Sequence, residues 1–273
     1  MNREIVNGVT FMTFDLFKQA EVKHGFSTRL GGVSEGVYAS MNLGFNRGDM
    51  DARVHENYRR MAQALDMNYD RMCLSKQTHT TNVRIVTEED AGNGLHKPLP
   101  YDDVDGLITN VKDMPLVTFY ADCVPLFLYD PVKEVVALSH SGWRGTVGKI
   151  GKVTVDKMVD AFGCKREDII CGVAPSICKD CYEISNDVAE EFRKAFGKQA
   201  EESLLRPSTF NPDDPDKYML NLWEACRLVF IEAGISEDHI EITDYCTRCN
   251  PELFYSHRIM GANRGSLAAF ISL

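Results

Sequence analysis

Two short apolar runs separated by a turn constrain this chain more than any other feature. Residues 124–129 (Val-Pro-Leu-Phe-Leu-Tyr) and 134–139 (Glu-Val-Val-Ala-Leu-Ser) flank Asp130-Pro131. Runs of this length, rich in Val, Leu and Phe and bounded by turn residues, read as buried strands. Cys123 stands just before the first and His140 just after the second. Laid side by side, the strands bring a thiol and an imidazole to one end of a sheet. His79 precedes a further strand-like run at 82–87. One thiolate and two imidazoles make a three-ligand zinc set that leaves a fourth position for water or substrate. Singly, a Cys beside apolar residues is commonly a packed small hydrophobe. The grouping is what points to chemistry.

The surroundings of His140 add weight. Ser141-Gly142-Trp143-Arg144-Gly145-Thr146 packs two glycines, an aromatic and a guanidinium directly before an expected helix. Glycine lets backbone approach a ligand closely, and Arg near a helix start favours anions. Arg144 and Arg29 are therefore candidates for an anionic substrate group, because a guanidinium meets phosphate oxygens with a planar fork. Asp122, next to Cys123, is a candidate to orient one of the imidazoles by a hydrogen bond. Strand alternation could also turn it away from Cys123.

Composition narrows the partners. A net charge of −10 argues against nucleic acid and anionic membrane as partners, but not against a small anion held by a local Arg. No apolar run approaches the ~20 residues that span a bilayer. The first residues lack the apolar centre of a signal peptide, so the cytoplasm is the expected location. Nine cysteines in such a setting suggest metal binding or catalysis ahead of disulfides.

Helical periodicity predicts helices at Asp51–Leu65, 147–162, 187–196 and 222–233, with Gly163 and Gly234 as stop signals. Strand-like runs fall at Leu116–Tyr120, 169–173, 240–243 and Leu267–Ser272. Strands and helices alternate throughout, so the expected class is α/β or α+β, with residues 1–273 forming a single domain. The segment 207–217, with its prolines and aspartates, is the best loop candidate. The glycine-rich stretch at 25–36 carries Arg29 but neither the phosphate-loop nor the dinucleotide fingerprint.

Several motifs then occur in order along most of the chain. They are His24-Gly25-Phe26-Ser27-Thr28-Arg29-Leu30-Gly31-Gly32-Val33-Ser34, Ser40-Met41-Asn42-Leu43-Gly44, Lys76-Gln77-Thr78-His79, Ala121-Asp122-Cys123-Val124-Pro125 and His140-Ser141-Gly142-Trp143-Arg144-Gly145-Thr146. Pro175-Ser176-Ile177, Cys181-Tyr182-Glu183-Ile184, Cys246-Thr247-Arg248-Cys249 and Ser256-His257-Arg258 follow. Together these resemble the YfiH-like, laccase-domain (polyphenol oxidase-like) family of purine nucleoside phosphorylases. The resemblance implies one α/β domain with a mixed sheet core flanked by helices. It also implies a zinc enzyme that cleaves purine nucleosides with phosphate, with adenosine deamination and methylthioadenosine phosphorolysis beside it. Its metal positions fall on His79, Cys123 and His140, with Asp122 beside them, and Arg29, Arg144 and Asn42 are its substrate-contact candidates. Two departures from the pattern, Ala174 before Pro175 and the pair Asn263-Arg264, bear on the pocket rather than on the metal set.

Three rivals use the same residues. A cysteine hydrolase, such as an amidase of cell-wall precursors, would take Cys123 as nucleophile and His140 as base, leaving His79 without a task. A copper polyphenol oxidase is the rival metalloenzyme; a blue-copper centre takes two His and a Cys, but a coupled copper cluster needs many more imidazoles than seven scattered His provide. The third is a metal-binding interaction module without catalysis. The pairs Cys178/Cys181 and Cys246/Cys249 have the spacing that lets two thiolates reach one metal. They stand much farther apart than in a compact zinc ribbon, so reduced, structural cysteines are expected, with a second four-cysteine zinc site as the alternative.

Overall fold

The computed structural model describes residues 1–273 and consists of two six-stranded mixed sheets, a small three-stranded sheet and flanking helices. In the first sheet the strands run in the order Asn2–Val6, Val9–Thr13, Lys23–Ser27, Leu267–Ser272, Leu116–Tyr120 and Cys73–Leu74. In the second they run Ile240–Ile242, Ile170–Val173, Val124–Asp130, Val135–Ser141, Gly106–Thr109 and Val83–Ile85. The small sheet joins Glu183–Ser185, Lys217–Leu220 and Leu205–Pro207.

The apolar runs are continuous because both faces of each central strand are covered. Side chains of a strand alternate between faces. Along Val124–Asp130, Leu126 and Leu128 point into the core under the helices Ile150–Phe162 and Leu222–Glu232, while Phe127 and Tyr129 point into the core between the two large sheets. Leu267–Ser272 behaves likewise: Leu267, Ala269 and Ile271 enter the inter-sheet core, and Ala268 and Phe270 pack with helix Asp51–Leu65 on the far side. The layers are therefore helix, sheet, sheet, helix. A strand buried on both faces reads as an unbroken apolar run.

The two diagnostic strands pair antiparallel with Pro125 opposite His140 and Val124 opposite Ser141. Asp130 closes the turn between them by accepting the backbone N–H groups of Val132 and Lys133 at 2.8 and 2.9 Å. Helix Asp51–Leu65 and strands Leu116–Tyr120 and Leu267–Ser272 have the expected bounds, and the other expected elements agree to within a residue or two at their ends, with one exception. The helix expected over 147–162 is two helices, Trp143–Val147 and Ile150–Phe162, broken at Gly148-Lys149 where Lys149 adopts φ 59°. The Trp143-Arg144 loop is thus itself helical. An amino-terminal hairpin, Asn2–Val6 with Val9–Thr13, is turned by Asn7-Gly8 with both φ positive, the geometry an Asn-Gly pair favours. No helix is long and apolar enough to cross a membrane.

Phe127 lies fully buried between the sheets, 5.4 Å from the Phe14 ring and 6.2 Å from that of Phe17. Phe127→Ala is expected to cost about 3–5 kcal/mol of stability, read as a lowered urea midpoint with an unchanged slope. A loss below about 1 kcal/mol would contradict a close-packed sheet interface at this point.

Candidate active site and metal centre

The site forms where the chain passes from one large sheet to the other. Strand Leu116–Tyr120 belongs to the first sheet and Val124–Asp130 to the second, and Ala121-Asp122-Cys123 makes the crossing with Asp122 at φ 84°. The register of the diagnostic pair sets Cys123 beside the end of Val135–Ser141, which carries His140. His79 arrives from the loop ahead of Val83–Ile85, itself at φ 67°.

The three side chains meet. Their ligand atoms lie within 4.8 Å of one another. His79 Nε2 is 4.0 Å from Cys123 Sγ, and the two imidazoles stand perpendicular with centroids 4.8 Å apart. Burial grades from exposed His79 through half-buried Cys123 to buried His140, so the open side of the set lies at His79. Gly142 keeps the wall thin: a Cβ there would fall 2.9 Å from the His79 ring and 3.2 Å from Cys123 Sγ.

A residue outside the sequence expectations organises this group. The Asp105 carboxylate, fully buried, accepts the backbone N–H groups of Thr78, His79 and Thr80 at 2.9, 3.0 and 3.1 Å. The same carboxylate lies 2.8 Å from His140 Nδ1. A carboxylate only accepts, so Nδ1 carries the proton and Nε2 remains as ligand atom. Burial opposes the charge of Asp105, but the hydrogen bonds from His140 and from the Thr78 and Thr80 backbone outweigh it and hold the carboxyl below its ordinary range. Burial likewise pushes the Cys123 thiol up, yet the charge of His140 and hydrogen bonds with His140 and His79 bring it down to about 6. For His140, burial favours the neutral ring, but the Cys123 thiolate and the Asp105 hydrogen bond raise it to about 9. Without metal, thiolate and imidazolium coexist between about 6 and about 9. A thiolate and two imidazoles, one braced by a carboxylate, suit a divalent transition metal.

The set opens into a cavity of about 480 Å³. Phe45, Phe119 and Leu99 supply apolar wall, and Arg47 and Arg264 add two guanidiniums. Arg264 is 8% exposed, its Nε has no hydrogen-bond partner, and its Nη1 donates only to the neighbouring Gly265 carbonyl at 2.9 Å. Burial, together with the charge of Arg47, lowers Arg264 to about 10. Neither arginine forms an ion pair with a carboxylate in the fold.

The other expected residues sit elsewhere. The Arg29 guanidinium donates to the carbonyls of Ala39 and Pro251 and stacks on Tyr255. Arg144 lies over the ring of Trp143, and neither arginine lines the cavity. Asn42 is buried and spends its amide on Asp49, Gly44 and Ser266. The Asp122 carboxylate accepts from Thr247 Oγ1 at 2.6 Å and the Arg258 backbone N–H at 2.7 Å, so it braces the crossing; orienting the imidazole falls to Asp105. Asp105 precedes a strand start and Arg47 follows the Ser40–Gly44 motif, neither a strong signal alone. Arg264 lies in the Asn263-Arg264 departure already noted.

A mixed α/β sandwich with a His/Cys/His set at the sheet crossing defines the class of protein. The chain belongs to the family described as multi-copper polyphenol oxidoreductase laccase, which matches residues 23–273. It is 35% identical over 256 residues to a Bacillus subtilis (strain 168) protein named purine nucleoside phosphorylase YlmD, covering 93% of this chain and 89% of that one. It is 32% identical over 253 residues to adenosine deaminase RL5 from an unknown prokaryotic organism, covering 92% and 94%. The crystal structure of YlmD from Geobacillus stearothermophilus superposes with TM-score 0.89 at 33% identity, over 98% of this chain and 97% of that one.

The Cys123–His140 pair makes a direct prediction. In metal-free protein, alkylation of Cys123 by iodoacetamide, followed by peptide mass spectrometry, should rise as pH passes about 6, against 9.0 for an ordinary thiol. Asp105→Asn should move that midpoint up, because it weakens the support for the His140 charge. A wild-type midpoint at the ordinary value would contradict the ion pair.

Proposed function

We propose that this chain is a zinc-dependent purine nucleoside phosphorylase, converting adenosine, inosine or guanosine plus phosphate to free base and ribose 1-phosphate. The observation that carries this is the meeting, in one cavity, of a His/Cys/His set with two arginines that lack carboxylate partners. The names of the similar proteins support the same reaction. In this reading the chain works as one catalytic domain, and in the cytoplasm, where its nine free cysteines stay reduced.

His79, Cys123 and His140 would hold the zinc, which when bound supplies Lewis-acid stabilisation of charge in the reacting groups. Zinc fits the mixed thiolate and imidazole donors. A coupled copper cluster does not fit, because His24, His55, His96, His239 and His257 all stand outside this set. Arg47 and Arg264 bind phosphate, replacing its water with fixed donors. The apolar walls of Phe45, Phe119 and Leu99 take the planar base and keep water from the sugar. A phosphate oxygen then forms the bond to C1′ as the C1′–N9 bond breaks. The electron pair leaves with the purine, and the proton of hydrogen phosphate ends on the base.

Similarity to adenosine deaminase RL5 favours a second activity in the same cavity, in which water replaces the C6 amine of adenosine and ammonia departs. The zinc-deaminase signature, His-x-Glu followed by Pro-Cys-x-x-Cys, is incomplete here: His239-Ile240-Glu241 precedes Cys246-Thr247-Arg248-Cys249, but Tyr245 stands in place of the proline and His239 lies outside the His/Cys/His set. This chain would therefore run the reaction on a different donor set.

The test is release of base from inosine by metal-loaded protein with and without phosphate. Phosphate-dependent release that a chelator abolishes and zinc restores is expected. No phosphate-dependent release from any purine nucleoside would overturn the reading in favour of a Cys123 amidase. Arg47→Ala should raise KM for phosphate about tenfold or more, since a hydrogen bond to a charged group is worth ~1.5–3 kcal/mol. KM for inosine should stay nearly unchanged; equal rises in both would place Arg47 outside a phosphate site.

A further inference from the structure

On the side of Asp122 away from the ligand set, the fold brings the two distant cysteine pairs together. Strands Ile170–Val173 and Ile240–Ile242 pair in parallel, with Val173 opposite Ile242. Both leave the sheet at the same end, and their register continues beyond it. Thr243 donates to the Val173 carbonyl at 2.8 Å, Ser176 and Cys246 form a parallel bridge, and Thr247 donates to the Ser176 carbonyl at 3.1 Å. Each segment then turns tightly on its own Cys-x-x-Cys: Cys181 N–H bonds the Cys178 carbonyl at 3.0 Å, and Asn250 N–H bonds that of Cys246 at 3.1 Å. Two pairs separated by 68 residues thus face each other.

We propose that Cys178, Cys181, Cys246 and Cys249 form a second, structural zinc site closed by four thiolates. All four sulfurs lie within 4.8 Å of one another, with Cys181 Sγ and Cys249 Sγ 3.4 Å apart. A tetrahedral zinc tetrathiolate with Zn–S near 2.3 Å requires sulfur separations of about 3.8 Å, so the cluster needs only a slight adjustment. The Cys178 backbone N–H points at Cys246 Sγ from 3.3 Å, the kind of donor that stabilises a thiolate. Lys179 and Arg248 lie in the two spacers, and the one acid there, Asp180, is paired with Arg206. Cys178, Cys181 and Cys246 are buried, and only Cys249 reaches solvent.

The site would also brace the active-site wall. Ile177, next to Cys178, donates to the Asp122 carbonyl at 3.0 Å, and Thr247, between the other pair, donates to its carboxylate at 2.6 Å. Asp122 precedes the ligand Cys123 in the sheet crossing. Four thiolates joining the two turns hold Asp122 from both sides. The inference does not rest on the proposed reaction.

Cadmium NMR of the cadmium-loaded wild-type chain tests it. A resonance in the strongly deshielded range of tetrathiolate sites, apart from any signal of the His/Cys/His set, is expected; its absence overturns the proposal. In the His79→Ala/Cys123→Ala/His140→Ala protein, about one zinc per chain should remain after dialysis, and adding Cys178→Ser/Cys246→Ser should remove it. A triple variant that folds without zinc, or a disulfide between any two of the four under reducing purification, also overturns it. If the triple variant does not fold, the cadmium spectrum of the wild type decides alone.

Discussion

The Asp105 carboxylate collects six hydrogen-bond donors at the end of the sheet sandwich: three backbone N–H groups around His79, the hydroxyls of Thr78 and Thr80, and the ring of His140. Two side chains of the His/Cys/His set, from distant parts of the chain, are thereby fixed by one buried charge. The cost of burying that charge is offset by the donors around it, and the same donors keep it ionised. Asparagine could not substitute, since its NH₂ group would face an N–H donor in either orientation. The His79 loop, with His79 at positive φ, depends on this carboxylate for its shape.

The layered fold explains why the site lies where it does. Central strands covered on both faces leave polar side chains no place except at strand ends, which is where His140 and Cys123 sit. The switch between sheets at Ala121-Asp122-Cys123 leaves a gap there that the cavity fills. Polar groups that the ladders do not occupy are gathered by Asp105 on one side and Asp122 on the other. The first aligns the imidazoles and the second ties the crossing to the two cysteine-bearing turns. Metal chemistry and structural bracing therefore meet at adjacent residues.

Much of this was legible in the sequence. Apolar runs with turn signals located Val124–Asp130, Val135–Ser141 and Leu267–Ser272, and the Cys and His at their ends marked side chains that converge with His79. What escaped depends on pairing between distant segments. Asp105 has no local signature, because its task arises only when Gly106–Thr109 lies beside Val135–Ser141. Glycine-rich surroundings pointed to Arg29 and Arg144 as anion ligands; the Arg29 guanidinium is taken up by carbonyls and Tyr255, Arg144 is exposed over Trp143, and Arg47 and Arg264 line the cavity. The cysteine pairs were judged by their separation along the chain, a measure that a parallel strand pair makes irrelevant. The helix break at Lys149 was hidden by an apolar periodicity that runs through it.

In the proposed metalloenzyme, Asp105 assembles His79, Cys123 and His140 into one metal site. Anomalous diffraction at the zinc absorption edge, from crystals of the zinc-loaded protein and of its Asp105→Asn variant, addresses it atom by atom. The account predicts a zinc peak about 2.0–2.3 Å from His79, Cys123 and His140 in the wild type. In the variant, that peak should be lost or strongly weakened under the same zinc concentration. A wild-type map without zinc among these three residues, or a variant whose peak is undiminished, would contradict it.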